Sequence, residues 1–208
     1  MEQSNSTKER LAGELKRLVR EKPLNKISVR LLCQQCGINR GTFYYHFLDM
    51  MDLVEWIFRM DIAAPTKEYI RTGAMPLKGI SLCLLQKAYE DRALYAQTVR
   101  FRNQNRPAEI MLQESVENWE CLWERLKTEK MIPDRPIPEE QQEKIRFVLR
   151  YYGYAHYYVF LHWIQDGMRI SPKEMAERMD TTAVWGLNTA LKQILPQETS
   201  GEQFNNKN

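Results

Sequence analysis

The sequence predicts an all-α protein of about nine helices, a three-helix N-terminal unit followed by a larger helical bundle, from three observations. Apolar residues recur at intervals of three and four along the whole 208-residue chain, the spacing that lines side chains along one helix face. No segment alternates with the period of two that a half-buried strand needs. Prolines at Pro65, Pro76, Pro107, Pro133, Pro136, Pro138 and Pro172 cut the pattern into helix-sized lengths.

Leu11, Leu15, Leu18 and Val19 form the apolar stripe of the first helix, which ends before Lys22-Pro23 because proline disfavours helix in the residue before it. Ser28 is placed to cap a short second helix from Val29 to Cys36, with Ile27 and Leu32 at the flanking staple positions. Gly37 closes that helix, and Asn39 caps a third with Ile38 and Phe43 as its staple pair. Two caps separated by a glycine and one apolar residue leave room only for a tight turn, so the segment reads as a helix-turn-helix. Asp49 caps a fourth helix that runs through Leu53, Trp56, Ile57 and Met60 towards Pro65. Further helices are expected at 77–91, 93–103, 107–130, 139–167 and 173–195. The domains are set accordingly: 1–50 for the helix-turn-helix, 51–195 for the bundle, and 196–208 for a polar, disordered tail.

Composition narrows the class. The chain is 43% apolar and 11% aromatic, enough for a substantial core. Met1 to Arg10 is polar throughout, unlike a secretory signal, and the longest apolar run, Tyr151 to Ile164, holds two histidines and is too short to cross a bilayer. A cytoplasmic protein without membrane contact is expected. Residues 1–50 hold nine Lys/Arg against five Asp/Glu, a balance of +4, while the rest hold 21 against 22, a balance of −1. The positive excess sits where phosphate would be met. Cys33-Gln-Gln-Cys36 has no second Cys/His pair at zinc spacing, so both cysteines read as small core residues, as do Cys83 and Cys121. No metal or cofactor is expected. Convergent nucleophile and base, paired carboxylates and a phosphate loop are all missing, which argues against an enzyme.

The third helix carries the function. At 100° per residue, Phe43 and Phe47 share the inward face, while Gly41, Thr42, Tyr44 and Tyr45 point away, Arg40 lies at the exposed start and His46 on a flank. Arg40 suits guanine O6 and N7, Thr42 a thymine methyl or a phosphate, and the tyrosine hydroxyls and His46 phosphate oxygens. Arg30, on the second helix, is placed for the groove edge. Double-stranded DNA is the partner this face suits, with an aromatic-rich core helix as the plain alternative.

Cys36-Gly37-Ile38-Asn39-Arg40-Gly41-Thr42-Phe43-Tyr44-Tyr45-His46-Phe47 resembles the TetR-family signature, a glycine turn before a helix of the form Thr-Phe/Leu-Tyr-aromatic-His/Tyr-Phe, and the match extends over residues 7–58. The resemblance implies an all-helical dimeric regulator whose DNA-facing residues are Arg30, Arg40, Gly41, Thr42, Tyr44, Tyr45 and His46. Where that family usually has a phosphate-contacting lysine at the start of the fourth helix, this chain has Met50; Lys26 or that helix's N-terminal dipole is expected to substitute. Tyr151 to Met168, ending Trp-Ile-x-x-Gly-Met, resembles the branch containing the activator of the dihydroxyacetone kinase operon.

The helix at 139–167 is apolar on two faces, one of them carrying Tyr154, Tyr158 and Leu161, and the next helix carries the small-residue row Ala183, Gly186 and Ala190. Together they suit a two-fold homodimer interface, hence a palindromic operator. The aromatic-rich segment between them and the head is expected to hold an effector, a small molecule or a protein co-regulator, with Trp56, Tyr89, Trp119, Trp123 and His156 as candidate contacts. A helical adaptor working mainly through a protein partner is the rival reading.

Overall fold

The computed structural model describes residues 2–99, 106–132 and 135–195, and among them there is no strand. The helices are α1 (Glu2–Leu18), α2 (Val29–Gln35), α3 (Arg40–His46), α4 (Met50–Phe58), α5 (Ala64–Thr72), α6 (Leu77–Glu90), α7 (Arg92–Thr98), α8 (Arg106–Thr128), α9 (Glu139–Gln165) and α10 (Pro172–Ile194), with a 3-10 turn at Leu24–Lys26. A π-helical turn, Arg59–Ala63, joins α4 to α5 without a break. The expected continuation of α7 to residue 103 and the expected tail both lie outside the described residues.

The caps explain the N-terminal elements. Ser28 Oγ accepts from Leu31 N at 3.1 Å, Asn39 Oδ1 from Thr42 N at 2.8 Å, and Asp49 Oδ1 from Asp52 N at 2.9 Å. Asp52 answers the last of these by accepting from Leu48 N at 2.8 Å, so donors on both sides of the α4 start are satisfied. Gly37 adopts φ 61°, and Ile38 N donates to Cys33 O at 3.0 Å, the Schellman closure that needs a left-handed residue. Leu11, Leu15, Leu18, Leu32, Phe43, Phe47, Leu53 and Ile57 fill one core beneath these turns.

The fourth helix does not stop at Pro65. The π turn donates Ala64 N to Arg59 O, which widens the ladder just where proline lacks an N–H and crowds the preceding turn. The rod therefore runs on through α5 until Gly73, at φ 68°, ends it. α4 puts Leu53, Val54 and Ile57 into the head core, while Phe58 at its end and Ile62 and Ala63 of the π turn enter a second core with Tyr95, Tyr157, Phe160 and Trp163.

In the bundle α8 packs along α9 and α6 along α10. A third core, around Trp119, Ile145, Leu149 and Leu187, holds the far end. α8 and α9 come close together at Gly153 of α9, where an added Cβ would lie 2.8 Å from Val116 Cα. Ser115 Oγ donates to Gly153 O at 2.9 Å there.

Candidate nucleic-acid interface and effector cavity

Two phenylalanines set the rotation of α3. Phe43 is fully buried, Phe47 is 3% exposed, and their rings meet at 5.8 Å, with Trp56 edge-on to Phe47 at 6.1 Å. The opposite side is left outward: Arg40, Gly41, Tyr44 and Tyr45 are exposed, and Thr42 and His46 half-buried. Tyr45 is 82% exposed, a large ring kept in water that touches only the edge of its neighbour His46 at 4.9 Å among the ring contacts of the described residues. The Arg40 guanidinium lies 5.8 Å from the Tyr44 ring centre. Thr42 Oγ1 donates to the capping Asn39 at 3.2 Å. Lys26, on the 3-10 turn, and Arg30, on α2, are exposed as well.

Met50 is half-buried against the head core and offers no charge. A cation reaches the same end of α3 from α1 instead. Lys8 Nζ lies 5.8 Å from the Phe47 ring centre; burial, with the Lys8 charge behind it, holds His46 below its ordinary 6.5. Sequence reasoning missed Lys8, though its spacing from Leu11 and Leu15 puts it at the head of the same helical stripe.

The head is tied to the bundle by polar contacts as well as by the α4 rod. Lys16 of α1 pairs with Asp61 of the π turn and with Asp91, between α6 and α7, at 2.8 Å. Burial lowers the Lys16 pKa, and the two carboxylates more than offset that. Gln97 of α7 donates to Val19 O at 3.0 Å and accepts from Leu24 N, and Leu94 enters the head core.

Beyond this junction lies a cavity of about 310 Å³. Phe58 and Ile62 form its wall nearest the head, with Trp119 of α8, His156 and Phe160 of α9, and Asp180 of α10 around it. His156 stacks edge-on to Trp119 at 4.9 Å, and its Nδ1 lies 3.0 Å from Tyr152 O. A carbonyl only accepts, so Nδ1 carries the proton; burial keeps the ring below its ordinary 6.5 and hence neutral at pH 7. Of the expected effector contacts, Trp119 and His156 line this cavity. The other three do not. Trp56 packs on the head core, Tyr89 stacks on Trp163 at 6.4 Å, and Trp123 belongs to the third core.

Residues 15–57 match the family described as bacterial regulatory proteins, tetR family, and residues 77–184 match its transcriptional regulator C-terminal region. The chain belongs to the TetR family. It is a DNA-binding transcriptional regulator with a C-terminal effector-binding domain. Among solved structures, the dihydroxyacetone kinase operon activator DhaS is similar at 18% identity and a TM-score of 0.67, over 88% of this chain and 97% of that one. A TetR-family transcriptional regulator from Streptomyces coelicolor is similar at 13% identity and a TM-score of 0.58, over 91% of this chain and 83% of that one. Those likenesses show the shared fold. A comparison with curated proteins found no match. Among the described residues, no helix is long and apolar enough to cross a membrane.

TetR-family regulators typically dimerise, and the apolar surface of this one differs from the row expected for that purpose. Ala183 is 7% exposed and lines the cavity. An added Cβ on Gly186 would meet Tyr152 Oη within the same subunit, so its small size makes room for an internal ring. Ala190 is half-buried, and Leu161 packs into the second core. Tyr154 and Tyr158 do face outward, at 48% and 55% exposed, joined on α9 by Phe147 and Tyr151 and on α10 by Val184 and Trp185.

Proposed function

We propose that this TetR-family regulator reads a palindromic operator as a homodimer and that the cavity holds the effector that controls it. The rotation of α3 carries the reading: Phe43 and Phe47 are sealed inside while a surface of Arg40, Gly41, Thr42, Tyr44, Tyr45 and His46 is left to the solvent. Arg30 extends that surface, and Lys26 and Lys8 supply phosphate anchors in place of a lysine at Met50. Residues 1–50 act as the reading head, and 51–195 as the effector and dimer unit. The exposed tyrosines of α9 and Trp185 of α10 form the two-fold contact.

Phe58, Ile62 and Ala63 line the cavity and belong to the rod whose first turns build the head core. An occupant that moves them moves the head through Asp61–Lys16 as well. Control requires the occupant to bind the two head positions differently, and a typical coupling of this kind is about 1–3 kcal/mol. In a variant of the same scheme, the effector is a protein co-regulator. Met50 supports the rival reading of an adaptor that works through a partner, because one backbone anchor has been given up.

A gel shift with the DNA upstream of its own gene separates these readings. Arg40→Ala should cost about 1–3 kcal/mol and relax preference at one base pair. Lys26→Ala should weaken all sequences alike and flatten the salt slope by about one unit. Binding no tighter to that DNA than to random duplex at physiological salt would leave the adaptor reading standing.

A further inference from the structure

The cavity wall carries charge only where the protein has already answered it. Its carboxylates are Glu114 and Asp180, and no lysine or arginine is among the described lining residues. Lys67 and Arg59 reach Glu114 from outside the lining at 3.8 and 4.0 Å, and Lys67 also pairs with Glu117. Asp180 is buried and has an interaction partner of its own. The remaining polar groups are neutral. Thr66, Ser81, Asn118, Tyr157 and Asn188 each bring a donor and an acceptor. His156 offers Nε2 as an acceptor, because its one proton lies on Nδ1 against Tyr152 O, and Ser115 spends its hydroxyl proton on Gly153 O. Everything else on the described wall is apolar or aromatic, Phe58, Ile62, Trp119, Phe160 and Leu187 among it.

A charged occupant would lose its hydration and find no counter-charge to spare. An anion would have to draw Lys67 or Arg59 away from Glu114, and a cation would have to displace one of them or the partner of Asp180. An uncharged molecule meets neither cost, and its apolar surface gains by leaving water. One polar atom of the wall is left unmatched: Asn118 Oδ1 is buried without a hydrogen-bond partner. Asn118 follows Ser115 and Glu114 by three and four residues, on the side of α8 that lines the cavity. Rotation of its amide turns either the oxygen or the NH2 towards an occupant. At about 310 Å³ the cavity has room for roughly ten waters, the bulk of one aromatic ring with a short chain. We propose that the cavity takes an uncharged, largely apolar molecule of that size, whose hydroxyl-type group exchanges hydrogen bonds with Asn118. This rests on the cavity being the effector site.

The test titrates four probes of one skeleton into the full-length protein: 3-phenylpropan-1-ol, propylbenzene, 3-phenylpropanoate and 3-phenylpropylammonium. Calorimetry reads affinity, and a tryptophan-fluorescence change that disappears in Trp119→Phe places the probe in the cavity. The alcohol should bind about tenfold or more tighter than either ion, and about threefold or more tighter than the hydrocarbon. Asn118→Leu, similar in size and checked for folding by circular dichroism, should erase the preference for alcohol over hydrocarbon while the ions stay weak. Either ion binding as tightly as the alcohol overturns the proposal, as does an alcohol preference that survives Asn118→Leu, or a failure of all four to bind. Operator affinity, followed in the same titrations, tests the underlying reading separately. A probe that binds in the cavity and leaves operator affinity unchanged removes the effector role, whereas binding itself decides the class of occupant.

Discussion

His156 shows how one residue ties the cavity to stability. In the unfolded chain its imidazole takes a proton near 6.5, while in the folded protein burial holds it lower, against a partial opposing pull from Tyr152 O. Between those two values the unfolded chain carries more protons than the folded one, so stability rises with pH and is lost as pH falls below 6.5. The melting temperature should therefore drop between pH 7 and pH 5.5, above the range where most carboxylates titrate. His156→Gln should flatten that part of the profile, and an unchanged slope in the variant would remove His156 as its source. The neutral ring that costs stability in acid is the one that offers the cavity an acceptor.

Among the elements, α8 and α9 approach closely at one point, and a glycine allows it. A methyl on Gly153 would meet Val116 Cα at 2.8 Å and Val116 Cγ2 at 2.9 Å. The first of these is backbone, so no rotamer change relieves it and the two helices must move apart. Gly153→Ala should cost about 1–3 kcal/mol in urea unfolding, the usual range for overpacking a filled core. Adding Val116→Ala should recover only part of that, because the backbone contact remains; full recovery would show that the side chain alone sets the spacing. The same crossing aligns Ser115, Asn118 and Trp119 with His156, so its spacing also sets the cavity.

For the whole molecule, the proposed dimer makes the distance between two reading heads the decisive quantity. One subunit presents a single α3, and a palindromic operator asks for two, about one helical turn or a multiple apart. Phe147, Tyr151, Tyr154 and Tyr158 repeat at helical spacing along the exposed side of α9, and Trp185 on α10 is 73% exposed. Rings of that size in water mark an interaction surface. Tyr154→Glu combined with Trp185→Glu should give a folded monomer at micromolar concentration by light scattering, because neither side chain supports the core. Operator affinity should fall with it, while non-specific binding, which needs only one head, should persist. A wild-type protein that scatters as a monomer would exclude this arrangement.

The local features were legible from the residues alone. Caps at Ser28, Asn39 and Asp49, the closing turn at Gly37 and the inward pair Phe43 and Phe47 all depend on neighbours three or four positions away, and spacing records these directly. The outward face of α3 followed from the same periodicity. Other features depend on which helices become neighbours, which periodicity does not record. The sequence placed a stop at Pro65, yet a π turn carries the rod to Thr72. Trp56 and Trp119 look alike in composition, but only the packing puts Trp119 on the cavity and Trp56 on the head. A row of small residues suggested that Gly186 faces a second subunit; instead it lies beneath Tyr152, and the close crossing belongs to Gly153. Lys8 and Lys16 are ordinary charges on an amphipathic helix until α3 folds against one and Asp61 and Asp91 against the other. Contacts within four residues are written in the chain, whereas contacts across 45 or 75 residues exist only once the bundle has formed.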